Sequence, residues 1–191
     1  GGSRGGPAWC IGVVKRVVSV SLGSSRRDSR LELELLGERV LLERVGTDGD
    51  LRRCAQLLES LDGQVDAIGL GGMDLFLQAG RRRYYLRDAV RLVRRVRQTP
   101  VVDGSGLKQA WEPYVVLHYL PEVVGYSLRG RRVLQVSSVD RYGMAEAFDR
   151  AGAQVVYGDF LFALGLPFPL RSLGAVQVLA ALLLPFLTQL P

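Results

Sequence analysis

Between residues 16 and 45, apolar and polar positions alternate with a period of two. In the run Arg16–Leu22, Val18 and Val20 fall on one face and Ser19 and Ser21 on the other, which predicts a strand with one wet face ending at Gly23. Leu31–Leu36 alternates in the same way and is followed, across Gly37 and Glu38, by Arg39–Val45, the pattern of a β-hairpin. From Asp50 the period changes. Leu51, Cys54, Leu57, Leu58 and Leu61 recur at helical spacing, with Asp48 or Asp50 placed to cap the start and Gly63 to stop the helix. Val65–Leu70 reads as a short apolar strand opening into Gly71 and Gly72. Asp74–Gln78 and Arg82–Leu86 bracket a turn at Ala79 and Gly80. A second helix runs through Ala89, Val90, Leu92, Val93 and Val96, with Arg91, Arg94, Arg95 and Arg97 on its wet side, and Thr99–Asp103 returns as a strand.

Gly104–Trp111 turns that strand into another helix, after which Pro113, Pro121 and Gly125 punctuate the chain and predict a domain boundary. Arg131–Ser137, a helix over 141–151 and Gln154–Gly158 then form a strand–helix–strand unit, which requires parallel pairing between 132–137 and 154–158. The expected organisation is a flexible leader over 1–12, an N-terminal α/β unit over 13–125 and a Rossmann-like unit over 126–191 with an apolar C-terminal helix. The fold class is α/β: a mixed-sheet N-terminal unit followed by a small Rossmann-like βαβ unit, with a ligand crevice expected between them. The long uncharged stretch 173–190 is interrupted by Gln177, Pro185 and Gln189, and no basic cluster follows it. It therefore reads as a buried or interface helix, and no membrane span is expected.

Composition narrows the function classes. The chain has 191 residues, 48% of them hydrophobic, enough for one substantial core or two small ones. The net charge of +6 is carried by arginine, Lys15 and Lys108 being the only lysines. The arginines are interleaved with acids rather than gathered into a basic arm, so no specific nucleic-acid partner is expected, whereas a small anionic ligand fits. Cys10 and Cys54 lack C-x-x-C spacing, and with a single histidine they make no standard zinc site, so no metal is expected. A reducing, cytoplasmic setting is the simplest one for such a chain.

The sharpest local signal lies between Val133 and Asp159. Gly143 takes the third glycine position of a dinucleotide fingerprint, and Asp159 falls about twenty residues beyond the first, where an acid holds a ribose hydroxyl. Ser138 and Asp140 stand where the first two glycines belong. Ser137, Ser138, Asp140, Gly143 and Asp159 are thus candidate cofactor-binding residues; the alternative is a scaffold in which Ser138 or Asp140 caps the helix. A second candidate is the turn after the first strand, where Ser21, Gly23, Ser24, Ser25 and Arg26 offer amides, hydroxyls and charge to an anion; a polar hairpin tip has the same composition. The turns at 46–50, 69–74 and 103–108 each follow a strand, and strand ends of an open α/β sheet gather at one crevice. Lys108 opens a helix and is a candidate proton carrier, with Asp48, Asp74 and Asp103 as candidate carboxylate partners. His118 stands alone among Leu117, Tyr119 and Leu120 and reads as a half-buried, satisfied histidine.

The segments Val18–Asp28, Val45–Asp50, Val65–Gly72, Thr99–Lys108 and Asp140–Ala147 together resemble bacterial proteins labelled quinate 5-dehydrogenase, a quinate/shikimate dehydrogenase-like family; the likeness covers about residues 17–190. The resemblance implies an oxidoreductase using NAD or NADP on a polyhydroxylated cyclohexane carboxylate, with Lys108 and Asp48 in proton transfer; Asp103 is the further catalytic candidate at a strand end. The sequence departs from authentic shikimate and quinate dehydrogenases: Lys108 follows Gly-Ser-Gly-Leu instead of an Asn-Val-Thr-like segment, and Gly46-Thr47-Asp48 precedes the lysine. Family members continue past the end of this chain, so the apolar tail is expected to be covered by further sequence or by a second copy in a homo-oligomer. The alternative function is a non-catalytic α/β protein that binds a phosphorylated or carboxylate small molecule between its two units.

Overall fold

The structure is a computed structural model that describes residues 14–190; the leader expected over 1–12 lies outside them. The chain is mixed α/β and divides into two compact units. The first comprises residues 14–73 and Leu92–Val102, the second Asp74–Arg91 and 103–190.

In the first unit, β1 (Lys15–Ser21), β2 (Ser29–Leu35), β3 (Glu38–Gly46), β4 (Ala67–Gly71) and β7 (Val101–Val102) form a five-stranded sheet in the order β2-β3-β1-β4-β7. β1 runs parallel to β3 and β4, β4 parallel to β7, and β2 antiparallel to β3, so the sheet is mixed as expected. The hairpin turns through Leu36 and Gly37, both at positive φ (54° and 80°) between the pair Leu35–Glu38. That is the twist-matched two-residue hairpin loop, and it explains the glycine. The helix α1 (Leu51–Leu61) starts at Asp50, whose side chain accepts from the amides of Arg52 and Arg53. It buries Cys54, Leu58 and Leu61; Val18, Val20, Val40, Ile68 and Leu70 are the buried apolar side chains of the strands. Full burial of side chains such as Leu58 or Ile68 contributes about 1.5–3 kcal/mol each. The edge strand β2 differs from its pattern: Leu31 and Leu35 are exposed, because an edge strand outside the helix-covered area has no buried face to give them.

The second unit contains the hairpin β5 (Phe76–Ala79) and β6 (Arg82–Tyr85), and a helical run over 107–123. It continues with β8 (Arg132–Gln135), α4 (Tyr142–Arg150), β9 (Gln154–Tyr157), α5 (Asp159–Leu164) and α6 (Leu173–Leu187). β8 and β9 pair in parallel from Arg132–Gln154 to Gln135–Tyr157, as the strand–helix–strand reading requires. The core joins Tyr142 and Ala145 of α4 to Val155, Tyr157 and the stripe Val176, Ala180 and Leu184 of α6. This i, i+4, i+8 stripe is the buried face of the apolar tail, while Val178, Leu182 and Phe186 are exposed. Among the described residues, no helix is long and apolar enough to cross a membrane.

The unit boundary differs from the one expected near residue 125. The β5–β6 hairpin belongs to the second unit although residues 92–102 return to supply β7 to the first. The prolines do not divide the chain. The run 107–123 passes from wide turns at Leu107–Trp111 through α3 (Glu112–Tyr114) to wide turns at Val115–Val123. Pro113 sits where the first wide turns pass into α3 and Pro121 lies inside the second, and the run ends only at Val124, whose N–H donates to the Tyr119 carbonyl five residues back (3.1 Å). His118 on this run is exposed rather than half-buried; its Nδ1 lies 3.0 Å from Glu122 Oε1.

Candidate functional site

The Ser-Gly turn of the first unit is closed upon itself. The Ser21 hydroxyl accepts from the Gly23 amide (3.1 Å), the Ser24 hydroxyl caps the Arg26 amide (3.2 Å), and Asp48 Oδ1 accepts from the Ser25 amide (2.8 Å). Asp28 Oδ1 accepts from the Gly46 amide (2.6 Å) and from Arg44, which also donates to Ser21 Oγ and the Ser24 carbonyl. Asp48 adopts positive φ (53°), a conformation aspartate tolerates better than most residues, in forming this bond. The Ser25 amide holds the Asp48 carboxyl below its ordinary 3.8. Of the donors that were candidates for an external anion, the Ser25 amide therefore serves a carboxylate of the chain and the Gly23 and Arg26 amides serve serine hydroxyls. Asp48 belongs to the first unit and Lys108 to the second.

The loop after β8 is closed in the same manner. Asp159, buried at the start of α5, accepts from the amides of Ser138 (2.9 Å) and Val139 (3.0 Å) through Oδ1 and from the Ser138 hydroxyl through Oδ2. Ser138 itself is fully buried. In a dinucleotide site these loop amides face a pyrophosphate at the helix N-terminus. Here Asp159 takes them and is itself held away from a ribose hydroxyl. As arranged, Ser138, Asp140 and Asp159 do not fit the pyrophosphate and ribose of NAD or NADP. Gly143 is required for a different reason from the fingerprint: a Cβ there would lie 2.9 Å from the Lys108 carbonyl and 3.2 Å from Pro113 Cγ, so glycine lets α4 approach the run that carries Lys108.

Lys108 is the exception to this pattern of self-closure. Its Nζ lies 3.0 and 2.8 Å from the two Asp74 carboxylate oxygens and 2.6 Å from Asp140 Oδ1, all three side chains being partly buried. Asp74 follows β4, Asp140 follows β8, and the helical run brings Lys108 between them, beyond the carboxyl end of β8, where α/β sheets bind ligands. Lys108 and Asp140 line a cleft of about 80 Å³ together with Phe76, Gln78, Ser105, Gln109, Tyr142 and Glu146. Gln177 fixes the Tyr142 hydroxyl by donating to it. Burial pushes the Asp74 carboxyl above 3.8; Lys108 pulls it down, but the neighbouring Asp140 carboxylate adds to the upward shift. Burial alone would lower the Lys108 amine, yet hydrogen bonds to Asp140 and Asp74 outweigh it and raise it above 10.5.

Of the three candidate partners of Lys108, the structure brings up Asp74. Asp103 instead accepts from the amides of Leu75 (2.6 Å) and Ser105 (3.0 Å); burial would raise its carboxyl, but these bonds and the Ser105 hydroxyl outweigh it and leave it lowered. Asp140, which the fingerprint spacing placed against a pyrophosphate, is a second partner of the amine. Gln78, Gln109 and Glu146 carry no motif, and their place in the cleft follows only from folding. Among the described residues, no group of three or more His, Cys, Asp and Glu side chains is placed to hold a metal ion.

Fold and cleft define a mixed α/β protein with a lysine held between two carboxylates. Residues 16–103 are similar to a family described as Domain of unknown function (DUF8753), and residues 106–191 to one described as Domain of unknown function (DUF8754). The gap between the two matches, at 104–105, falls where the chain leaves the first unit for the last time. No curated protein matches the chain.

Proposed function

We propose that the second unit is a small-molecule site in which the Lys108 ammonium donates a hydrogen bond to an oxygen of a hydroxylated ligand while Asp74 and Asp140 hold the amine. The observation that carries this reading is the placement of one ammonium within 3.0 Å of both carboxylates in an open cleft. One cation between two anions disfavours phosphate. A hydroxyl, which donates to a carboxylate and accepts from the amine, matches the cluster. The resemblance to quinate/shikimate dehydrogenase-like proteins implies a lysine acting on a hydroxyl of a cyclohexane carboxylate, which supports Lys108; the aspartate it implies, Asp48, belongs to the other unit.

Hydride transfer to NAD or NADP is not supported by the loop that Asp159 closes, so the reading is ligand binding through hydrogen bonds to the Lys108 ammonium. Calorimetric titration of quinate, shikimate, NAD, NADP and a phosphate control tests it. We expect saturable binding of a hydroxylated carbocycle that Lys108→Ala weakens at least tenfold, about 1.4 kcal/mol. Equal binding by Lys108→Ala would refute the role of Lys108. Saturable dinucleotide binding beyond the phosphate control would instead restore the dehydrogenase reading.

A further inference from the structure

A second cavity lies on the other side of Asp140, within the same unit and independent of the role proposed for Lys108. It encloses about 200 Å³, and its lining is predominantly apolar. Leu179, Leu183 and Leu187 project from α6 at i, i+4, i+8, one stripe over from the buried Val176, Ala180 and Leu184; Leu77 of β5 and Leu164 of α5 complete the walls. The polar lining comes from one cluster of loop residues, Ser137, Asp140 and Asp159. Asp140 Oδ1 is taken by Lys108, but no hydrogen bond reaches its Oδ2 among the described residues, Arg141 Nε standing 3.9 Å away.

We infer that this cavity binds a small amphipathic molecule with a monocyclic or short aliphatic body and a hydrogen-bond-donating head, an alcohol or an amine, directed at Asp140. The volume supports the body, since an apolar cavity of about 150 Å³ takes a benzene-sized molecule. The carboxylates set the head: hydroxyl or ammonium groups donate to Asp140, whereas a carboxylate head meets like charge from Asp140 and Asp159. A hydrophobic lining with a few convergent polar groups is the usual composition of a small-molecule site.

The probes are cyclohexanol, cyclohexylamine and cyclohexanecarboxylate, one ring with three heads, followed through the leucine methyl resonances of the full chain. We expect the alcohol and the amine to shift the methyls of Leu179, Leu183 and Leu187 saturably, with the carboxylate at least tenfold weaker. Leu183→Trp, which fills the cavity, abolishes the shifts; Leu187→Trp, at a more exposed position, serves if Leu183→Trp fails to fold. The readout is the α6 leucine methyls, which do not line the Lys108 cleft, so failure here is distinct from failure of the Lys108 reading. Equal affinity for all three heads, or shifts that survive in both tryptophan variants, would overturn the inference. Methyl shifts that follow protein concentration and not the probe would also overturn it, assigning the cavity to a second copy of the chain.

Discussion

The Ser-Gly turn of the first unit and the Lys108 cleft of the second are both built around aspartates, and they use them in opposite ways. In the turn, Asp28 and Asp48 accept from backbone amides, and the Asp48 carboxyl is lowered. In the second unit, Asp74 and Asp140 share the amine that lines the cleft, and burial raises Asp74. A carboxylate bound to amides completes the fold and has little capacity left for a ligand. One that shares an amine with a second carboxylate is held in a state that a ligand's hydroxyl can relieve. Asp159, although in the second unit, is of the first kind.

The largest test of this contrast is Asp159→Ala. It strips two amides and a buried hydroxyl of their acceptor and should cost about 3 kcal/mol or more in urea unfolding, at about 1–3 kcal/mol per buried donor left unmade. A loss below about 1 kcal/mol would mean that Asp159 does not close the loop. Next is Gly143→Ala, whose Cβ would press on the Lys108 carbonyl. About 1–3 kcal/mol of stability should go with it, and ligand affinity should fall because the amine moves; a stability loss with unchanged affinity would separate Gly143 from the site.

Asp74→Asn should cost under about 1 kcal/mol, and its pH dependence is more telling than its size. A carboxyl raised in the folded state contributes stability that is fully present below the unfolded value of 3.8 and is lost as pH rises through the folded value. The asparagine variant should therefore gain on the wild type as pH increases across that window. Asp48→Asn should show the reverse trend: the lowered carboxyl contributes stability above 3.8 that is lost as pH falls through its folded value. Parallel pH profiles for the two variants would remove the distinction. The smallest effect belongs to Arg26→Ala. Arg26 is exposed and in no ion pair among the described residues, so stability should stay within about 0.5 kcal/mol and phosphate affinity should not change.

The elements with strong periodicity were legible in the sequence: the Leu35–Glu38 hairpin, the helix over Leu51–Leu61 and the parallel pair of β8 and β9. Their residues encode local geometry directly. The unit boundary was not legible, because Pro113 and Pro121 look like punctuation yet lie within one helical run, and no local pattern announces that residues 74–91 and 92–102 join different units. The site was legible in part. Lys108 stood out as one of two lysines, and Asp74 was among three acids at strand ends. The choice of Asp74 and Asp140 over Asp48 and Asp103 depends on which carboxylates the backbone amides consume, which only the folded chain decides.

The central claim is that Asp74 and Asp140 share the Lys108 amine whereas the loop aspartates are bound to the backbone, and titration of the side-chain carboxyl carbons by nuclear magnetic resonance tests it directly. The account predicts Asp74 above 3.8 and Asp48 and Asp103 below it, with Asp74 falling when Asp140→Asn removes the competing charge. An Asp74 that titrates below 3.8 beside the loop aspartates, and does not respond to Asp140→Asn, would contradict it.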